Sequence, residues 1–115
     1  MSMKKIKQLV DKDKLIKENC LVNQAEFGGV PKDVEHAQRR SDLRAIPIEY
    51  IWIAIVYGTK KRAIKALSFT IYDKDLINTK YIKYISTLRG VCVIIDYDNY
   101  IITTYWLFKA KRRFN

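Results

Sequence analysis

The sequence predicts an α+β domain in which N-terminal helices pack on a small, mainly antiparallel sheet. Three observations carry that expectation. In the first half, apolar residues recur at helical spacing, as at Ile48, Ile51, Trp52 and Ile55. The second half alternates β-branched and aromatic residues with polar ones, ending in a run over 91–107 that Asp98-Asn99 divides. The chain has 115 residues, 49% hydrophobic and 12% aromatic, which is enough for one packed core and too few residues for two.

Residues 3–22 read as an amphipathic helix, with Ile6, Leu9, Ile16 and Cys20 roughly along one stripe that Asp13 interrupts. Gly28-Gly29 followed by Pro31 breaks the chain direction. Residues 1–30 are therefore expected to form an N-terminal helical appendage, and residues 31–115 the α+β domain. A second helix is expected from near Asp33, a good N-cap residue, to about Arg44. Pro47 suits the first turn of a third helix, buried on most sides, which Gly58 ends. Thr59-Lys60-Lys61-Arg62 follows as a basic loop.

Strands are expected over 67–72, 81–85, 91–97 and 100–107. The last two form a hairpin around a two-residue Asp98-Asn99 turn, a pair that tolerates positive φ. Such closure pairs Tyr97 with Tyr100, Asp96 with Ile101 and Ile94 with Thr103. Asp96, Thr103 and Tyr105 then share a face with Cys92 and Ile94.

Charge narrows the function. Lys and Arg number 22 against 12 Asp and Glu, for a net +10, distributed as +1 over residues 1–35, +5 over 36–72 and +4 over 73–115. A field of that size concentrates polyanions and speeds encounter with them, so nucleic acid is the expected partner. A lysine-rich surface also serves solubility alone, and charge does not separate the two. Cys20 and Cys92 lie far apart without CxxC spacing, and there is one histidine, which excludes a structural zinc site. Neither a metal nor a small-molecule cofactor is expected. Cys92 sits in an apolar run and reads as a reduced interior residue. The basic N-terminus lacks an unbroken apolar stretch, and the apolar run 46–57 is too short for a bilayer and holds Glu49. No membrane association and a cytoplasmic location are the expectation.

His36, Arg40 and Arg44 stand at i, i+4 and i+8, one stripe on a helix. An imidazole beside two guanidiniums suits phosphodiester chemistry, because arginine forks bind phosphate bidentately and histidine moves protons near neutral pH. The ordinary alternative is a solvated basic helix face. Thr103 and Tyr105 fall at alternate strand positions and so on one face, although strand propensity alone accounts for both residue types.

The run from His36 to Ile46 resembles a helix motif, H-A-x-x-R-x-x-x-R-G-I, of small uncharacterised bacterial proteins similar to the barnase/EndoU/colicin/RelE-like (BECR) ribonuclease superfamily. In that family a buried helix ending in Gly follows, as residues 48–58 do here. A strand pair ending D-G-x-V-I-T-V-Y closes the domain, and here it reads Asp98-Asn99-Tyr100-Ile101-Ile102-Thr103-Thr104-Tyr105. The resemblance spans roughly residues 34–106. Ala45 replaces the usual Gly before Ile46, Asn99 replaces the Gly of the turn, and Trp106 stands where a polar residue is usual.

The resemblance implies a BECR/RelE-like fold and a toxin-like, metal-independent endoribonuclease. In such an enzyme the ribose 2′-hydroxyl attacks the adjacent phosphate, leaving a 2′,3′-cyclic phosphate and a 5′-hydroxyl. His36, Arg40, Arg44, Thr103 and Tyr105 carry over by position as the catalytic set. Lys60, Lys61, Arg62, Lys111, Arg112 and Arg113 are expected to hold the RNA backbone of a tRNA or mRNA. An acidic antitoxin or immunity protein is the implied protein partner. Two alternatives stay open: a non-catalytic RNA-binding module, and a phage or mobile-element protein-interaction module on the same fold.

Overall fold

The computed structural model describes residues 2–24, 26–27 and 46–107. The helix expected between Asp33 and Arg44 lies outside them, as do His36, Arg40, Arg44, Lys111, Arg112 and Arg113.

The helix expected over 3–22 is three short helices: α1 (Ser2–Asp11), α2 (Lys14–Glu18) and α3 (Cys20–Gln24). Asp13 makes the first break. Its backbone is extended at φ −88°, ψ 107°, and its Oδ1 accepts the Leu15 and Ile16 N–H groups at 2.9 and 3.3 Å, capping α2. Asn19 repeats the device before α3, accepting from the Val22 N–H at 3.0 Å. The two corners rotate the apolar stripe. Ile6, Val10 and Ile16 are buried, Leu9 is half-buried, and Cys20, expected on the stripe, is exposed.

The third expected helix is α4 (Ile48–Tyr57), with Pro47 at its N-cap position. Tyr50, Ile51, Ile53, Ala54 and Ile55 are buried. Gly58 follows, but at φ −70° it has no need of left-handed freedom. Space is the reason for glycine: a Cβ there would stand 2.5 Å from the Ala54 carbonyl oxygen and 3.0 Å from that of Thr70.

The segment expected as a basic loop is a strand, β2 (Thr59–Arg62), antiparallel to β3 (Ala66–Thr70) and outermost in the sheet. Lysines suit such an edge because they discourage a further chain from pairing with it. The strand expected over 81–85 is helical instead. Helix α5 (Asp73–Leu76), a 3₁₀ turn (Ile82–Tyr84) and α6 (Ile85–Leu88) occupy the β3–β4 connection. Local bonds, Thr79 N–H to Leu76 O, Ile82 N–H to Thr79 O and Tyr84 N–H to Tyr81 O, satisfy that backbone without a ladder.

Strands β4 (Val91–Asp96) and β5 (Tyr100–Trp106) form the expected hairpin, and β1 (Glu26–Phe27) runs parallel to β5. The sheet order is β1-β5-β4-β3-β2, a four-stranded antiparallel meander with one short parallel strand at its edge. Ile94 pairs with Thr103 and Cys92 with Tyr105, but Ile101 faces Ile95 and not Asp96. The turn is one residue longer than expected. Tyr97, Asp98 and Asn99 separate the strands, with Asn99 at φ 69°. Asp96 Oδ1 accepts the Asp98 and Tyr100 N–H groups at 2.9 and 3.0 Å, which fixes that loop. A register shift between Ile94 and Ile95 leaves Ile102 as the extra residue on β5 and restores the expected pairing beyond it.

Helix α4 lies on β3 and β4. Val91, Val93 and Ile95 join Phe69, Ile71, Ile51 and Ile53 in one core, to which Ile6, Val10 and Ile16 also belong. Among the described residues no helix is long and apolar enough to cross a membrane.

Candidate functional site

Strand alternation sorts the sheet residues. Leu67, Phe69, Val91, Val93 and Ile95 point into the core, so Ser68, Thr70, Cys92 and Ile94 point away from it. The pairing registers then lay two rows across the outer face. One row is Lys61, Ser68, Ile94 and Thr103, and the other is Thr59, Thr70, Cys92 and Tyr105. Thr103 and Tyr105, singled out from the sequence, stand side by side there, both half-buried. Lys61 ends Thr103's row three strands away, at about 14 Å for strands spaced about 4.8 Å apart.

The face is rich in hydroxyls. Thr59 donates to Asp75 at 3.0 Å, and Thr70 donates to the Cys92 Sγ at 3.2 Å. Ser68 and Thr103 make no hydrogen bond through their hydroxyls among the described residues. Cys92 is buried and free, as expected of a reduced thiol, but it packs on this outer face and is not part of the core cluster.

Beside the rows lies the basic edge. Lys60, Lys61 and Arg62 on β2 and Lys65 in the following turn are all exposed. None of the four forms an ion pair among the described residues. Lys60 and Arg62 pair with Phe69 and Leu67 and so lean to the helix side, while Lys61 leans to the hydroxyl face. Three of the expected backbone-holding cations are thereby placed on one strand. The expected His36, Arg40 and Arg44 stripe and the Lys111–Arg113 tail lie outside the described residues.

One polar cluster was not foreseen. Asp13, 1% exposed, accepts the Tyr57 and Tyr81 hydroxyls on Oδ2 at 2.7 and 2.8 Å, with the Lys80 Nζ at 3.9 Å. Tyr57 and Tyr81 meet edge to face, ring centroids 5.4 Å apart. Burial by itself raises the Asp13 pKa, but the two hydroxyls, the Ile16 N–H and the Lys80 charge outweigh it and hold the carboxyl below its ordinary 3.8. Burial, then the Asp13 carboxylate, pushes both tyrosines well above their ordinary 10.0. The only hint in the sequence is an aspartate directly ahead of Lys14-Leu15-Ile16, the position of a cap. This cluster ties α2, α4 and the β3–β4 connection together, and every group in it is already partnered.

Among the described residues no three His, Cys, Asp or Glu side chains are grouped to hold a metal ion. Comparison with protein-family models, with curated proteins and with solved structures finds no match.

Proposed function

We propose that this protein binds RNA across the hydroxyl-bearing sheet face and acts as a metal-independent endoribonuclease. The observation that carries the proposal is the shared face: Lys61 and Thr103 end one cross-strand row, with Tyr105 beside Thr103 in the next. A cation at one side and hydroxyl groups at the other match a polyanion laid across the strands. Thr103 donates to a phosphate oxygen, and Tyr105 stacks a base or assists proton transfer. His36 serves as general acid or base, and Arg40 and Arg44 bind the phosphate and its transition state. The 2′-oxygen forms the new bond to phosphorus and the bond to the 5′-oxygen breaks. The 2′-hydroxyl proton leaves to the base, and the departing 5′-oxygen takes one up. A toxin role, in a BECR-like fold and with an acidic antitoxin or immunity protein covering the β2 edge, accords with this chemistry.

A second reading has its own support. The described residues include no histidine, and the tyrosines whose pKa rises, Tyr50, Tyr57 and Tyr81, are buried or half-buried in the core. Proton transfer therefore depends on His36, and without it the same face is a binding module.

The deciding experiment is incubation of the purified protein with total RNA and with tRNA, with and without EDTA, beside His36→Ala. Discrete cleavage that resists EDTA and disappears in the variant, with RNA binding nearly intact, is the expected result. Cleavage retained in His36→Ala removes that residue from the mechanism. RNA retarded on a gel but never cut moves the function to the binding module, and neither binding nor cleavage points to a protein partner.

A further inference from the structure

The hairpin tips extend the face just described. Beyond the Lys61–Thr103 row comes the pair Ala66 and Asp96, and beyond that the two turns, 63–65 and 97–99. The Tyr97 hydroxyl donates to the Ala63 carbonyl oxygen at 3.2 Å, so the phenol bridges one turn to the other. Tyr97 is nonetheless 57% exposed, and Ile64 in the neighbouring turn is 93% exposed. Tyr100, which opens β5, and the bulge residue Ile102 are also exposed. Four of the nine exposed large hydrophobic residues of the described chain thus belong to these two hairpins, and the others, Met3, Leu15, Ile48, Ile77 and Ile82, are spread over the helices and their connections.

The same end carries Arg62 and Lys65, with Lys60 and Lys61 leading to it along β2, all four without an ion pair among the described residues. Two acids oppose them. Asp96 spends one oxygen on the Asp98 and Tyr100 N–H groups, and Asp98 is exposed. At the tip itself two cations face two acids, and Lys60 and Lys61 along β2 bring the balance of the edge to +2. Exposed rings and aliphatic groups amid exposed cations fit a ligand with both phosphates and flat apolar faces, which is a single-stranded stretch of nucleic acid. A duplex offers the phosphates but hides the base faces in its stack. A hydroxyl-tethered tyrosine is also well prepared for stacking, because its ring loses little freedom when a base settles on it.

We infer that the paired hairpin tips are a single-strand platform, on which Tyr97 stacks an unpaired RNA base while Lys61 and Lys65 hold the flanking phosphates. The inference rests on the reading of this protein as acting on RNA, and adds that the RNA is single-stranded where it leaves the Thr103 face. Asp98 sets a ceiling on affinity that its removal lifts.

The test is fluorescence anisotropy with a short labelled oligouridylate and with a blunt RNA duplex of the same length, using the full chain. The wild-type protein is expected to prefer the single strand. Tyr97→Ala should weaken oligouridylate binding by about tenfold and barely alter duplex binding. Tyr97→Phe, which keeps the ring and loses the Ala63 bond, should stay within about twofold, separating stacking from loss of the tether. Asp98→Asn should tighten binding to both. Equal or tighter duplex binding, an indifferent Tyr97→Ala, or no RNA binding at all overturns the inference. Cleavage is scored separately. Cutting that ignores Tyr97 leaves the nuclease reading intact without the platform, and Tyr97-dependent binding without cutting leaves the platform intact without the nuclease.

Discussion

The Asp13 cluster and the β2 edge are both built from charged side chains, and they use charge in opposite ways. At Asp13 one buried carboxylate meets two tyrosine hydroxyls, two backbone N–H groups and a lysine. On β2 and its turn, four exposed cations meet no acid among the described residues. A charge enclosed by partners fixes how elements pack, and removing a partner costs stability. A charge left open to water contributes little to the fold and much to the attraction of a polyanion. The first region therefore belongs to folding and the second to binding, and substitutions should separate them.

The largest effect is expected at Asp13. Asp13→Ala leaves two buried hydroxyls without an acceptor and strips the cap from α2, so it should lower unfolding stability by about 3–5 kcal/mol in a urea titration. Asp13→Asn keeps a capping oxygen and should cost less. RNA affinity per folded molecule should not change in either variant.

Next in size is the pH dependence. The Asp13 carboxyl is held below its ordinary 3.8 in the folded state, so its contribution is present above that pH and is lost as pH falls through the folded value. Tyr57 and Tyr81 are raised above their ordinary 10.0, so their contribution is present below pH 10.0 and is lost as pH rises beyond it. One cluster thus limits stability at both ends. Asp73 acts in the reverse sense: burial raises its carboxyl and the Arg89 charge offsets only part of that, so it favours the fold at low pH and loses that contribution as pH rises. Melting curves across pH should show a steeper acid limb in Asp73→Asn and a shallower one in Asp13→Asn.

Much of this architecture is legible in the sequence, and the exceptions have physical reasons. Helix α4 is readable because Ile48, Ile51 and Ile55 mark one side at helical spacing, and the β4–β5 hairpin because β-branched and aromatic residues flank Asp98-Asn99. The break at Asp13 is hidden because an aspartate among lysines looks like a solvated residue, and its tyrosine partners lie 44 and 68 positions away. Strand β2 is hidden because Thr-Lys-Lys-Arg has no apolar alternation, and pairing with β3 makes it a strand. Residues 81–85 have strand-like composition, yet burial of Tyr81 and Leu88 in the core and local hydrogen bonding decide for helical turns. The turn length escapes composition as well, since the Asp96 side chain decides it. Of the candidate site, the common face of Thr103 and Tyr105 follows from alternation alone, whereas Lys61 joins their face only through the sheet register.

The smallest expected change in stability marks the most direct test, the salt dependence of RNA binding for the wild-type chain and for a variant with Lys60, Lys61 and Arg62 all replaced by alanine. Melting should agree between the two within about 0.5 kcal/mol. The slope of log affinity against log salt on single-stranded RNA should become shallower by about 2, roughly 0.7 for each phosphate no longer neutralised. An unchanged slope, or a variant that unfolds and binds as before when folded, would place these cations in the fold and contradict their assignment to RNA.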